Sequence, residues 1–282
     1  PGTQCFVVTS TEFLCNRTPQ VTGVVVNLGE GDDDLTFAVI NEGPAGGLPA
    51  AGFALAADGG GGNDTIALGR GTTVLGGTGN DRITGSAEAD AVSGGDGADI
   101  IRARGGADTI SGDAGDDQLD GGDDQLSTDD GAADALSGGD GIDRVSYFSR
   151  GVSLDVTQDG LANDGAAGEG DNVSADVELV IGSSQADRLV GDAGADELRG
   201  EGGDDTLVGN GGADVLTGGF GNDALQGGDG DDGLTGGDGN DTLDGGAGLD
   251  SFTGDSPIGV GNDVILARDG IAESIDCGPG SD

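Results

Sequence analysis

The stretch GGDGDDGLTGGDGNDTLDGG, residues 227–246, is nearly half glycine; its two leucines, Leu234 and Leu243, lie nine residues apart, each two positions after an aspartate. Followed outward, the period of nine covers most of the chain. Asp187, Asp196, Asp205, Asp214, Asp223, Asp232, Asp241 and Asp250 form an unbroken ladder, and an earlier one runs through Asp81, Asp90, Asp99, Asp108 and Asp117. Asp134 and Asp143 form a short third ladder, and Asp64 precedes the first. Two positions after the aspartates come Leu189, Leu198, Leu207, Leu216, Leu225, Leu234, Leu243 and Phe252, and earlier Ile83, Val92, Ile101, Ile110 and Leu119. Chance does not hold both rows in register.

Composition narrows the function before any motif is named. Glycine supplies 64 of 282 residues, and the formal charge is −44. A conventional core is not expected from such a chain. The ten basic residues are all arginine, with no clustered basic surface for nucleic acid or anionic lipid. A cation is the natural partner. Histidine is absent, which removes Ser/His/Asp triads, Cys/His dyads and HExxH zinc sites together. No apolar run has the length of a membrane span. The chain starts at Pro1 with no basic leader region, which reads as a processed or trimmed start.

The best copies of the repeat are GGTGNDRIT (76–84), GGFGNDALQ (218–226) and GGDGNDTLD (236–244). They resemble the RTX, or hemolysin-type, calcium-binding nonapeptide G-G-x-G-x-D-x-U-x, with U apolar. The resemblance is clear over 64–146 and 182–254 and weaker in LGEGDDDLT (28–36). It implies an all-β fold, a parallel β-roll or β-solenoid in which two nonapeptides make one 18-residue coil. In that arrangement U points inward on a short strand, the glycines turn the chain, and residues 18 apart become neighbours on one edge.

The resemblance also implies Ca²⁺ as the bound ion, held by aspartates n and n+18 with carbonyls of adjacent turns, since calcium takes six to eight oxygen ligands. The expected edges are Asp187/Asp205/Asp223/Asp241 and Asp196/Asp214/Asp232/Asp250, with Asp81/Asp99/Asp117 and Asp90/Asp108 earlier, giving about nine inter-coil sites. Asp250 is expected to end its row. Asp64, Asp134 and Asp143 are less regular candidates, Asp64 to Asp81 and Asp117 to Asp134 being each one residue short of a coil. The turns GSAEAD (85–90) and GSSQAD (182–187) lack most of the glycines and should bind weakly or not at all. Two apolar side chains per coil cannot offset the ordering of its backbone, so ion binding and folding should be one event.

The expected organisation is an N-terminal strand-rich cap (1–63), a first roll block (64–146), an insert of wider coils without calcium (147–181), a second block (182–254) and a closing segment (255–282). The acidic run NDGAAGEGDN (163–172) is a further candidate ion site without EF-hand spacing. The arginines read as solvated positions that relieve charge. Cys5 and Cys15 are close enough to close a small loop, whereas Cys277 stands apart as a third disulfide candidate.

The sequence favours a secreted or cell-surface bacterial rod with a structural role, its apolar N-terminal strands suited to head-to-tail assembly into a homopolymer. The alternatives are a monomeric adhesin segment or the non-catalytic part of a larger secreted toxin or enzyme. Ice binding is disfavoured, because the position three before each ladder aspartate carries no regular threonine row.

Overall fold

A strand of three to six residues follows almost every ladder aspartate, because x-U-x alternates its side chains and the next glycines end the run. The structure, a computed structural model, describes residues 5–9, 12–15, 23–36, 54–69, 71–122, 132–255, 261–267 and 273–277. Its described elements are all β-strands. They stack into a parallel solenoid, as the repeat implies. No helix is long and apolar enough to cross a membrane among the described residues.

One face is a continuous twelve-stranded sheet running from Asp34–Thr36 through Arg82–Thr84, Ile100–Arg102, Arg144–Ser146, Leu179–Ile181 and Glu197–Gly202 to Ser274–Asp276. The opposite face is two seven-stranded sheets. The first runs from Gly23–Asn27 to Asn172–Val173 and the second from Gly165–Ala166 to Val264–Leu266. Register is set by the aspartate period: Ile101 sits beside Ile83 and Leu119, and Leu225 beside Leu207 and Leu243. A shift of one residue would turn every U outward. All thirteen inward residues named above are at most 4 % exposed, so the core is a double file of aliphatic side chains one residue wide per strand.

The segment between the two ladders belongs to the same stack. Leu179–Ile181 pairs in parallel with Arg144–Ser146 on one side and Glu197–Gly202 on the other. On the opposite face Leu154–Thr157 pairs antiparallel with Gly165–Ala166, and there the first seven-stranded sheet gives way to the second. Near the N-terminus Cys5–Thr9 pairs antiparallel with Glu12–Cys15, with Cys5 directly opposite Cys15. Of the remaining N-terminal strand candidates, the run 37–53 lies outside the described residues.

Two readings are corrected here. Arg150 is not solvated: its side chain is 10 % exposed and paired with Glu169, itself 3 % exposed, and its guanidinium lies 5.0 Å from the centre of the Tyr147 ring. The absence of a regular threonine row holds only for the position three residues before the ladder aspartates. Three residues after the ladder aspartates, Thr217, Thr235 and Thr253 stack in register on adjacent strands.

Candidate metal centre

Each ladder aspartate has two carboxylate oxygens with different tasks. In most of them Oδ1 accepts a hydrogen bond from the backbone N–H of the aspartate one coil earlier, Asp81 N to Asp99 at 2.7 Å, Asp205 N to Asp223 at 2.8 Å and Asp214 N to Asp232 at 2.8 Å, whereas Asp90 takes Thr72 N and Asp187 takes Leu154 N. The pairing tolerates irregular coils. Asp64 N donates to Asp81 across 17 residues, Asp108 N to Asp134 and Asp117 N to Asp143 across 26, so the shortened and lengthened coils keep the carboxylates in line.

Oδ2 turns the other way, into the turn. In Asp64, Asp81, Asp99, Asp117, Asp143, Asp205, Asp214, Asp223, Asp232 and Asp241 it is buried with no hydrogen-bond donor. Such an oxygen is costly unless a cation or a proton meets it. Beside it lies the glycine five positions upstream. A Cβ on Gly218 would come closer than 3.0 Å to both Asp223 Oδ2 and the carbonyl oxygen of Gly236 in the next coil, and Gly76, Gly94, Gly112, Gly200, Gly209, Gly227 and Gly236 repeat this cradle. The first glycine of the motif is therefore kept free of a side chain by two converging oxygens. Among the described residues no three Asp, Glu or Cys side chains converge as a metal cluster, so an ion here must draw on main-chain carbonyls as well. All-oxygen donors with few carboxylates suit a hard cation such as calcium.

The second glycine decides whether Oδ2 is left open. Four positions before Asp223, Gly219 has φ 118°, and Gly77, Gly95, Gly139, Gly228 and Gly237 are likewise left-handed. Arg104, Asp113, Glu201 and Asn210 hold the same place with φ between 74° and 80°. Where this residue is not left-handed, its N–H swings onto the carboxylate: Ser86 N donates to Asp90 Oδ2 at 2.8 Å, Ser183 N to Asp187 Oδ2 at 2.6 Å and Asp192 N to Asp196 Oδ2 at 2.9 Å. The degenerate turns at 85–90 and 182–187 thus satisfy their own carboxylates, and GDAGAD (191–196) joins them. Arg104, Glu201 and Asn210 each lie one coil after such a turn. On Gly219 a Cβ would strike the preceding coil's carbonyl, Glu201 O, whereas Asp113 carries its side chain over the left-handed Gly95.

Burial dominates the proton affinities. Offset in part by a backbone N–H donated to the carboxylate and reinforced by neighbouring carboxylates, it pushes Asp99, Asp196 and Asp223 up to about 7 and Asp117, Asp143, Asp205, Asp232 and Asp241 to about 6.

Residues 57–75, 71–101, 93–125, 181–216 and 217–252 match the family model of the RTX calcium-binding nonapeptide repeat (4 copies). These matches take in half of the chain. The chain belongs to this family. A comparison with curated proteins finds no match. As an RTX repeat protein it carries the calcium-binding β-roll, a structural module.

The structure joins rows that the sequence kept apart. Asp143 N donates to Glu178 Oε2 at 2.8 Å, and Glu197 N to the Glu178 carbonyl at 2.7 Å, so Glu178 stands in the aspartate place between Asp143 and Asp196. Asp81, Asp99, Asp117, Asp143, Glu178, Asp196, Asp214, Asp232 and Asp250 therefore follow one edge of the twelve-stranded sheet. The other row is also longer than the period shows. Asp241 N donates to Asp263 Oδ1 at 3.0 Å across 22 residues, and Asp134 N to Asp171 Oδ1 at 2.9 Å across 37. The strand stack continues past Asp250, Ser274 N donating to its carbonyl at 3.1 Å. Asparagines add a second staple of opposite sense: Asn222 N donates to Asp204 Oδ1, Asn240 N to Asn222 Oδ1 and Asn262 N to Asn240 Oδ1. The recurring Asn before the ladder aspartate in GND was the available signal.

The acidic run 163–172 is corrected as an ion site. Asp164 accepts from Thr157 N and Val173 N, Glu169 from Arg150 and Ala166 N, and Asp171 from Asp134 N and the Tyr147 hydroxyl. Protein donors already occupy these oxygens. Cys277 closes the last strand, Ser274–Asp276, and is half-buried.

Proposed function

We propose that calcium occupies the turns of both repeat blocks and that the chain folds on binding it, as a secreted, extracellular structural rod. The observation that carries this reading is the file of buried Oδ2 atoms without donors, each set against a carbonyl-lined glycine cradle. Asp81, Asp99, Asp117, Asp205, Asp214, Asp223, Asp232 and Asp241 are the principal ligands, with Asp64 and Asp143 beside them. Asp108, Asp134 and Asp250 complete the rows. Asp90, Asp187 and Asp196, whose Oδ2 atoms already accept from the turn, hold weaker sites. Far-UV circular dichroism during a calcium titration tests this. The β-signal should be largely absent in excess EGTA and appear between roughly 0.1 and 1 mM calcium, the range of extracellular modules. A full β-signal in EGTA refutes it.

End-to-end assembly into a fibre is favoured over a monomeric rod by one feature. Among the described residues the inward row runs out to Ile275, aligned with the buried Phe252 and yet 49 % exposed. An exposed inward residue on the outermost described strand fits pairing with another copy's apolar N-terminal strands. Light scattering and electron microscopy in millimolar calcium decide it: monomers at every concentration leave the rod and remove the fibre.

A further inference from the structure

The turn between Ser251–Asp255 and Val264–Leu266 departs from the nonapeptide. Register places Gly254 opposite Gly236 and Asp255 directly opposite the left-handed Gly237, so a carboxylate stands where the repeat has its second glycine. The coil is also longer, Asp263 following Asp241 by 22 residues. Asp255 is 2 % exposed, and neither of its carboxylate oxygens meets a hydrogen-bond donor. An ionised group so placed needs a counter-charge. Among the described residues no arginine supplies one in the manner of Arg150 at Glu169.

The surroundings supply oxygens. A Cβ on Gly261 would lie 3.0 Å from Asp255 Oδ1 and closer still to the carbonyl oxygen of Gly239. A Cβ on Gly236 would lie 2.8 Å from the carbonyl oxygen of Gly254, on the other side of which Asp241 Oδ2 is buried without a donor. Asp255 and Asp263 are near enough for their charges to add to the burial that raises the Asp241 carboxyl. Two donor-free carboxylates and two turn carbonyls thus face one turn.

We propose that Asp255 is a calcium ligand outside the nonapeptide pattern, giving the last turn of this row a site with one more carboxylate than the repeat sites and a correspondingly higher affinity. The proposal rests on the calcium reading of the repeats. Ligand charge sets affinity among calcium sites of like geometry. Asp255 is invisible to the motif, which requires glycine there.

The test uses the full chain, equilibrated in chelator-buffered calcium, with bound ion counted by atomic emission after rapid gel filtration. The wild-type chain should retain one ion at free calcium about tenfold below that which fills the repeat sites. Asp255→Gly, which restores the motif residue, and Asp255→Asn, which keeps the shape and removes the charge, should both lose that tight ion while keeping the remaining ions and the β-signal at saturating calcium. Asp81→Asn should keep it. Variants that retain the same ion with unchanged affinity overturn the role of Asp255 and leave the repeat reading intact. A wild-type chain that binds no calcium at all overturns both.

Discussion

Glu201 and Gly219 occupy the same place in successive coils, directly paired in register, and both are left-handed, with φ 74° and 118°. A side chain in this region costs about 1–2 kcal/mol. Replacing Glu201 with glycine removes that strain, while the added freedom of the unfolded chain returns about 0.5–1 kcal/mol of the gain. Glu201→Gly should therefore stabilise the calcium-loaded roll by about 0.5–1 kcal/mol, a two- to fivefold shift in its unfolding constant. The reverse exchange is not symmetrical. Gly219→Ala incurs the same backbone strain, and its Cβ also enters the space of the Glu201 carbonyl, whereas Glu201 lies over Ser183, whose turn is not left-handed. Its cost should exceed about 2 kcal/mol.

Urea unfolding in millimolar calcium, followed by circular dichroism, reads both variants against the wild type, with the slope showing whether the exposed surface is unchanged. Opposite signs are the signature. A destabilised Glu201→Gly, or a neutral Gly219→Ala, would refute the argument that the left-handed turn and the overlying carbonyl together fix this position.

Four further outcomes rest on the buried charges and the strand register. With Asp99, Asp196 and Asp223 raised from 3.8 to about 7 and Asp205 and Asp232 to about 6, the calcium-free roll binds more protons than the unfolded chain. Its penalty is absent below about pH 4 and complete above about pH 7, so β-signal in EGTA should rise on acidification across that window; a signal that falls would contradict the burial of these groups. Calcium must compete with the same protons, so its midpoint should move to higher concentration as pH drops. Arg150→Ala leaves Glu169 buried without its partner and should cost about 3–5 kcal/mol, a loss that extra calcium does not repair; a calcium-rescued variant would place an ion there after all. Cys5 and Cys15 stand opposite one another in the N-terminal hairpin, so the untreated chain should have an intact mass two hydrogens below its reduced form, and peptide mapping should link these two and leave Cys277 out.

The coil and its core were legible because both depend on periodic residues. Leu207, Leu225 and Leu243 share a period of 18 and end as neighbours, and no other register keeps them inside. What escaped the sequence is aperiodic. Glu178 takes an aspartate's place 35 residues after Asp143, and Asp263 follows Asp241 by 22, while the strands that follow them keep their pairing along the stack. Glycine counting failed in a more instructive way. Glu201, Asn210, Asp113 and Arg104 lack the second glycine yet keep its backbone conformation, whereas Ser86, Ser183 and Asp192 lack both. The letter missing from the motif is the same; the direction of one N–H separates the two groups.

The insert shows how such a roll can be interrupted without losing its axis. At its centre the first opposite-face row reaches Asp134 and Asp171, and Arg150 approaches these carboxylates while pairing with Glu169 at 2.5 Å. A guanidinium attached to the chain there does for Asp171 and Glu169 what a dissociable ion would otherwise have to do. It is present at every calcium concentration. The twelve-stranded sheet passes straight through this region by way of Val145 and Val180, both 1 % exposed, so the junction has both a packed core and its own fixed counter-charge. Calcium withdrawal should therefore release the repeat blocks before the insert. In hydrogen exchange the amides of Val145 and Val180 should stay protected at calcium levels where those of Leu207 and Leu225 have already opened; simultaneous opening along the chain would mean that Arg150 lends the insert no independence from the metal.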